Sequence, residues 1–262
     1  MPVWKLEIEY KGTRYRGFQI QKNVRTIQGE LMKAAEKIFS SAAKIEIGAA
    51  GRTDAGVHAI SQIVHLRVSK APENLKPKQI QFAFNDLLPY DINILKVRNA
   101  PENFHARHDA ISRYYLYQIA TRRTAFGKDF VWWIKDKLNV EKMRQASKLI
   151  VGVHDFRAFC DTVEKNQSTI VSVEKSEIFV DGSLICFRIG ASHFLWKMVR
   201  RLVGTLVEIG RGNITVEEFK KILDSNSRHI KEFTAPASGL FLEKVVYKGE
   251  EPPKEHRAVF PI

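Results

Sequence analysis

Cysteine is almost missing from this chain of 262 residues. The two that occur, Cys160 and Cys186, have neither the spacing of a thiolate metal site nor that of a redox pair, so reduced core thiols are expected. His105 and His108 form a His-x-x-His pair with no other ligand types nearby, and no metal is expected there. No uncharged apolar run approaches the ~18 residues that a membrane helix needs, so no membrane partner is expected. The first residues lack the apolar core of a signal peptide: Trp4, Leu6, Ile8 and Tyr10 alternate with Lys5, Glu7 and Glu9, the pattern of a half-buried strand, and a cytoplasmic location is expected. Low-complexity tracts are absent too, and with 44% hydrophobic and 27% charged residues a wholly disordered chain is excluded. Acid is the scarcer charge. Asp and Glu total 29 against 42 Lys and Arg, a net charge of +13, which favours polyanionic partners, nucleic acid before anionic membrane.

What is present centres on Gly51-Arg52-Thr53-Asp54-Ala55-Gly56-Val57-His58, between two runs that read as strands, Ile45 to Ala49 and Gln62 to Val68. An acid, a cation, a hydroxyl and an imidazole lie between glycines that permit sharp turns and close backbone approach. Taken alone, the stretch fits equally a polar turn in which Asp54 bonds its own backbone. Ahead of it, Lys11 to Gln19 interleaves Arg14 and Arg16 with Tyr15, Phe18 and glycines. That mixture suits guanidinium groups meeting phosphates and rings stacking on bases, and equally an ordinary hairpin loop with surface cations.

The remaining elements follow from periodicity. Thr26 is the expected N-cap of a helix with Ile27, Leu31, Ala35 and Ile38 inward. Pro77 opens a second helix carrying Ile80, Phe84 and Leu87, which Pro89 stops, and a strand at Ile92 to Val97 closes what reads as a β-α-β-α-β half. Phe104-His105-Ala106-Arg107 is a turn, and Ala110 to Ile119 a strand with Arg113, Tyr115 and Tyr117 on one face. Asn139 caps a helix with Val140, Met143, Ala146 and Ile150 inward; Gly152 to Phe156 reads as a loop; Asp181-Gly182 marks a hairpin within Ile170 to Ile189. A helix from His193 to Ile209 is apolar except for one stripe of Lys197, Arg200, Arg201 and Glu208, so Arg200 or Arg201 needs an anionic partner inside the protein. Thr215 and Glu218 form a capping box for a further helix, and a last strand runs from Leu240 to Tyr247 before a proline-bearing tail with little structure of its own. Two comparable halves result, near residues 1–105 and 106–262, without an overt sequence repeat, and α+β is the expected class.

Together these motifs resemble the tRNA pseudouridine synthase A family. The loop Gly51 to His58 is similar to the family's catalytic motif. Phe104-His105-Ala106-Arg107, Arg113-x-Tyr115-x-Tyr117, Gly152-x-His154-Asp155-Phe156, Phe194-Leu195-x-x-Met198-Val199-Arg200 and Gly239-Leu240 follow in family order, from the first strand to the last. The resemblance implies two ferredoxin-like halves sharing one extended, mainly antiparallel sheet with a basic cleft between them. It also implies a homodimer that binds tRNA and converts uridine to pseudouridine at positions 38, 39 and 40 of the anticodon stem-loop, without cofactor.

The chemistry asked of these residues is the exchange of a C–N glycosidic bond for a C–C bond on one ribose, which needs a nucleophile to hold the intermediate. By resemblance that is Asp54, attacking either ribose C1′ or uracil C6. Burial that excludes water disfavours a charged carboxylate and a nearby guanidinium favours it, so Arg200, from the polar stripe, is the expected ion-pair partner of Asp54. The target base must leave its stack at a cost of a few kcal/mol. The resemblance assigns that help to Arg52, stacking on the flipped uracil to Tyr115, and the opposite apolar wall to Leu240. Arg14, Arg16, Lys197 and Arg201 are expected as further RNA contacts. Two other readings compete: a non-catalytic RNA-binding module, which would not need Asp54, and a hydrolase, for which no second acid stands near Asp54.

Overall fold

The alternation at the start of the chain gives strand β1 (Val3–Tyr10), whose apolar side is buried. In the computed structural model the residues described are 1–40, 44–69, 71–72, 75–161, 168–225 and 230–262. They divide into two units, one of residues 1–111 and 242–251, the other of residues 112–241 and 252–262. The class is α+β, as expected, with five α-helices and ten strands among the described residues.

In the first unit Thr26 caps helix α1 (Ile27–Ile38) by accepting from the Gly29 N–H at 3.2 Å, as the sequence requires. Strands β2 (Ile45–Ala49) and β3 (His58–Val68) are antiparallel neighbours, with Ile47 opposite Leu66. β3 begins four residues earlier than periodicity alone indicates, straight out of the Gly51–His58 loop. Helix α2 (Pro77–Leu87) starts on its proline and buries Ile80 and Phe84, while Leu87 stays exposed. Strand β4 (Ile92–Ala100) pairs with β1, and β1 with β3. The order is therefore β-α-β-β-α-β, the two strands read on either side of the loop counting separately, where the β-α-β-α-β pattern holds one strand too few. With sheet order β4-β1-β3-β2 this is the ferredoxin-like arrangement.

In the second unit strand β5 (Ser112–Ala120) is buried along its whole length. It pairs antiparallel with β9 (Leu184–Ala191) and parallel with the short β6 (Trp132–Trp133). Helix α3 (Val140–Leu149) is capped by Asn139, which accepts from the Lys142 N–H at 3.0 Å. The stretch expected as a loop contains strand β7 (Gly152–Asp155) instead, paired with β8 (Ile170–Asp181). Four residues are too few to display alternation, and cross-strand pairing decides. β8 and β9 form the expected hairpin, with Gly182 at φ +56° in its turn. Helix α4 (Met198–Arg211) begins five residues later than its apolar content indicates: Lys197 ahead of it adopts φ +63°, which helix cannot contain. Helix α5 (Val216–Ser225) carries the expected capping box, Thr215 N–H to Glu218 at 2.8 Å and Glu218 N–H to Thr215 Oγ1 at 3.1 Å. Apart from the short strands β6 and β7, the succession β5-α3-β8-β9-α4, with sheet order β5-β9-β8, repeats β1-α1-β2-β3-α2 with order β1-β3-β2, a duplication of topology that the residues themselves do not display.

The last strand, β10 (Leu240–Val246), lies beside β3 in the first unit through its residues from Leu242 on. The tail after Glu251 forms no helix or strand, yet it is fastened to the second unit. Gln118 accepts from the Val259 and Phe260 N–H groups at 2.6 and 3.0 Å, and the buried Arg188 donates to the Glu255 carbonyl at 2.6 Å.

Candidate active site

The loop between β2 and β3 is held from beneath. The buried Tyr10 hydroxyl and Thr53 Oγ1 share a hydrogen bond at 2.8 Å, and the Gln62 amide donates to the Gly51 carbonyl at 2.9 Å. Burial, the largest influence on Tyr10, pushes its pKa up to about 12 although the Thr53 bond acts the other way, so the phenol stays protonated and the bond intact across the physiological range. The Val57 N–H donates to the Asp54 carbonyl at 3.1 Å, and Gly56 sits at φ +81°, as the turn requires. Thr53, Val57 and His58 thus face inward, whereas Arg52 is exposed and Asp54 half-buried.

The Lys11–Gln19 stretch packs backbone to backbone against this loop. A Cβ on Gly12 would lie 2.0 Å from the Val57 carbonyl oxygen, and Gly17, at φ +101°, approaches the Thr53 oxygen at a notional 2.7 Å. The Phe18 N–H donates to Thr53 O at 3.0 Å, the Gly56 N–H to Tyr15 O at 3.3 Å, and the Gly12 N–H to His58 Nδ1 at 3.0 Å. His58 is therefore a brace between the two loops. Of the two readings open for this stretch, the one in which its rings stack on bases is not supported. Tyr15 and Phe18 are buried, with the Tyr15 hydroxyl donating to Asp91 and the Arg25 guanidinium 4.7 Å from the Tyr15 ring. Arg14 and Arg16 remain exposed beside the loop that carries Asp54.

The Phe104–Arg107 turn is also scaffold. His65 Nδ1 accepts from the Ala106 N–H at 3.1 Å, and the Tyr247 hydroxyl donates to the Ala106 carbonyl at 2.7 Å. Burial holds the His65 imidazole below its ordinary pKa, in keeping with a neutral ring that accepts a backbone hydrogen bond. The His105 ring lies between those of His65 and His108, tilted against each, at 4.7 and 4.2 Å, but no group of three or more metal-ligating side chains is arranged for an ion among the described residues. Cys160 and Cys186 are buried and form no disulfide among the described residues.

In the second unit Tyr115 lies on β5 opposite Ile189, its ring edge-on to Phe194 at 5.0 Å. Tyr117, on the same face, donates its hydroxyl to the Pro236 carbonyl at 2.8 Å, and a Cβ on Gly239 would meet its ring at 2.6 Å. This close approach sets the path of the chain into the buried Leu240. From α4, Arg200 Nε donates to the Ala235 carbonyl at 2.7 Å, and the Ala235 N–H returns a bond to Arg200 O at 3.0 Å. Tyr117 and Arg200 are thus both bonded to the Ala235–Pro236 backbone.

Arg201 was expected among RNA contacts and also as a cation in need of a buried anion; the structure supplies the anion. At 2% exposure its guanidinium pairs with Asp161 at 3.2 Å, and Lys197 meets the same carboxylate at 2.6 Å. The Lys197 ammonium, against the effect of burial and with help from Arg201, holds the Asp161 carboxyl below the usual carboxylate range. Sequence reasoning missed Asp161, which stands outside any helix or strand and so carries no periodic signal. It also missed Tyr10 and Gln62, whose alternation within strands announces burial but not which loop they hold.

A family model described as tRNA pseudouridine synthase matches residues 7–109 and 146–248. The chain is 40% identical over 246 residues to the tRNA pseudouridine synthase A of Borrelia hermsii, covering 92% of this chain and 98% of that one. It is 39% identical over 246 residues to the protein of that name from Dictyoglomus thermophilum, covering 93% and 99%. With the one from Fervidobacterium nodosum it shares 41% identity over 245 residues, covering 92% and 98%.

Proposed function

Because the chain belongs to the tRNA pseudouridine synthase family, we propose that Asp54 is the nucleophile with which it isomerises uridine to pseudouridine in tRNA, at positions 38, 39 and 40 of the anticodon stem-loop. In this reading residues 1–105 supply Arg52 and Asp54, and residues 106–262 supply Tyr115, Arg200 and Leu240. Asp54 attacks ribose C1′ or uracil C6. Either way the C1′–N1 bond breaks, a C1′–C5 bond forms, the proton on C5 leaves and N1 gains one, so the change is redox-neutral. Arg52 occupies or grips the place the uridine leaves. Tyr115 stacks on the extruded ring, with a hydroxyl able to take the C5 proton, and Leu240 faces the ring from the other side. Arg200 neutralises Asp54, and Arg14, Arg16 and Lys197 meet the RNA backbone. Arg201, being buried, acts by holding Asp161 and through it Lys197. The protein works as a homodimer in the cytoplasm.

The observation that carries the reading is the rigid footing of the Arg52–Asp54 segment. A nucleophile must be held to within about half an ångström of its productive position, and the Tyr10–Thr53 and Gln62–Gly51 bonds, with the Gly12 and Gly17 contacts, constrain this segment from several directions. The test is Asp54→Asn on unmodified tRNA, with pseudouridine mapped by position. Product should vanish while tRNA affinity stays within a few fold; retained turnover would exclude Asp54 as nucleophile, and release of free uracil by the wild type would mean hydrolysis.

A further inference from the structure

One tryptophan on the segment from β9 into α4 has no part in the scheme above. Trp196 is 52% exposed. Exposed apolar side chains taken singly mean little, but this one stands on a backbone that is tied down on both sides. Its carbonyl accepts from the Asp161 N–H at 3.2 Å, the Met198 N–H donates to Leu195 O at 3.1 Å, and the Arg201 N–H to Lys197 O at 3.0 Å. Lys197, next in sequence, is held in a left-handed conformation uncommon for a residue with a side chain. Its ammonium reaches Asp161 at 2.6 Å and lies 4.6 Å from the centre of the Trp196 ring system. Asp161 in turn is gripped by the buried Arg201 at 3.2 Å and approached by the exposed Lys231 at 3.8 Å. An indole on a fixed backbone is thereby left half in solvent with the Lys197 ammonium over it, next to a carboxylate that three cations share.

We propose that Trp196 is a stacking platform for an unpaired base of the bound RNA, separate from the uridine that is isomerised, with Lys231 and Lys197 facing the phosphates beside it. The proposal rests on the reading of the protein as a tRNA enzyme. Base–aromatic stacking on a positively charged surface is the general means of holding unpaired nucleotides, and it tolerates any base because every base has a π-face. A second protein surface would instead favour apolar neighbours for the indole, and the groups beside it are charged. The location suits a base close to the target. Phe194, two residues earlier and so at most ~7 Å of chain away, already touches the Tyr115 ring.

The test compares wild type, Trp196→Phe and Trp196→Ala binding to an unmodified anticodon stem-loop RNA and to a fully paired duplex of equal length. Tryptophan fluorescence, sedimentation and pseudouridine formation are followed alongside. Trp196→Ala should bind the stem-loop about tenfold more weakly and the duplex unchanged. Trp196→Phe should keep stem-loop affinity within about threefold yet lose the quenching that RNA causes in the wild type, since only Trp4, Trp132 and Trp133 remain. Full stem-loop affinity in Trp196→Ala, quenching retained in Trp196→Phe, an equal loss on the duplex, or a weakening traced to a change of oligomeric state would each overturn the platform. Absence of pseudouridine from the wild type together with the expected Trp196 pattern would sink the enzymatic reading alone.

Discussion

Asp161 shows how much a single residue without any pattern can carry. It is the anion that the polar stripe of α4 demands, and it serves Lys197, Arg201 and Lys231 together. Its folded-state pKa lies below the ordinary value, so its contribution to stability is present above the unfolded carboxylate pKa of ~3.9 and is lost as pH falls through the lower, folded one. Asp161→Asn should lower the melting temperature at pH 7 by roughly 3–10 °C, because it leaves the guanidinium of Arg201 buried without its counter-charge. The gap to wild type should narrow as the pH is taken below about 4. A pH-independent gap in melting scans would mean that the pairing does not stabilise the fold. Asp54 was singled out by its neighbours and by the family resemblance together, since glycines, a cation and a hydroxyl around an acid fit a polar turn equally well on their own. Asp161 was not, because what makes it matter is the cations that folding brings to it.

At the level of elements, the close approaches decide which loops can hold their course. Gly204 lies in the middle of α4, where alanine would ordinarily gain about 1 kcal/mol of helix propensity. A Cβ there would stand 1.4 Å from the Phe233 carbonyl oxygen, a backbone atom that cannot swing aside. Overpacking of that kind costs about 1–3 kcal/mol or more, so the clash outweighs the propensity. Gly204→Ala should destabilise the protein by roughly 1–2 kcal/mol net and shift the 231–235 segment, to which Arg200 is bound through Ala235. Urea denaturation reads the first effect and pseudouridine formation the second; a more stable Gly204→Ala protein would show that the segment yields. The caps at Thr26, Asn139 and Thr215 were all legible, because a cap is local chemistry three residues long. The start of α4 and the strand β7 were not. One depends on a left-handed residue that composition does not announce, the other on a partner strand supplied from elsewhere in the chain.

For the whole molecule the dominant quantity is charge. With a net +13, association with a polyanion should be driven largely by counterion release, which makes it steeply salt-dependent. Raising monovalent salt from about 50 to about 200 mM should weaken tRNA binding by well over tenfold if four or more phosphates are neutralised. A flat salt profile in filter binding would remove the electrostatic basis for RNA recognition, whatever the loops contain. No helix among the described residues is long and apolar enough to cross a membrane.

Sequence by itself determined the α+β class, most helix and strand spans, most inward faces, the net positive charge and the position of the turn between β2 and β3. All of these follow from periodicity, local hydrogen bonding and composition, which act over a few residues or over none in particular. Only the tertiary structure decided that Tyr15 and Phe18 are core rather than ligand-facing, that His58 and Thr53 brace the loop, that Arg201 is spent on Asp161, and that Trp196 is left exposed on a fixed backbone. Each of these turns on which groups distant in sequence come within hydrogen-bonding or van der Waals range. That range is a few ångströms, and the sequence carries no measure of it.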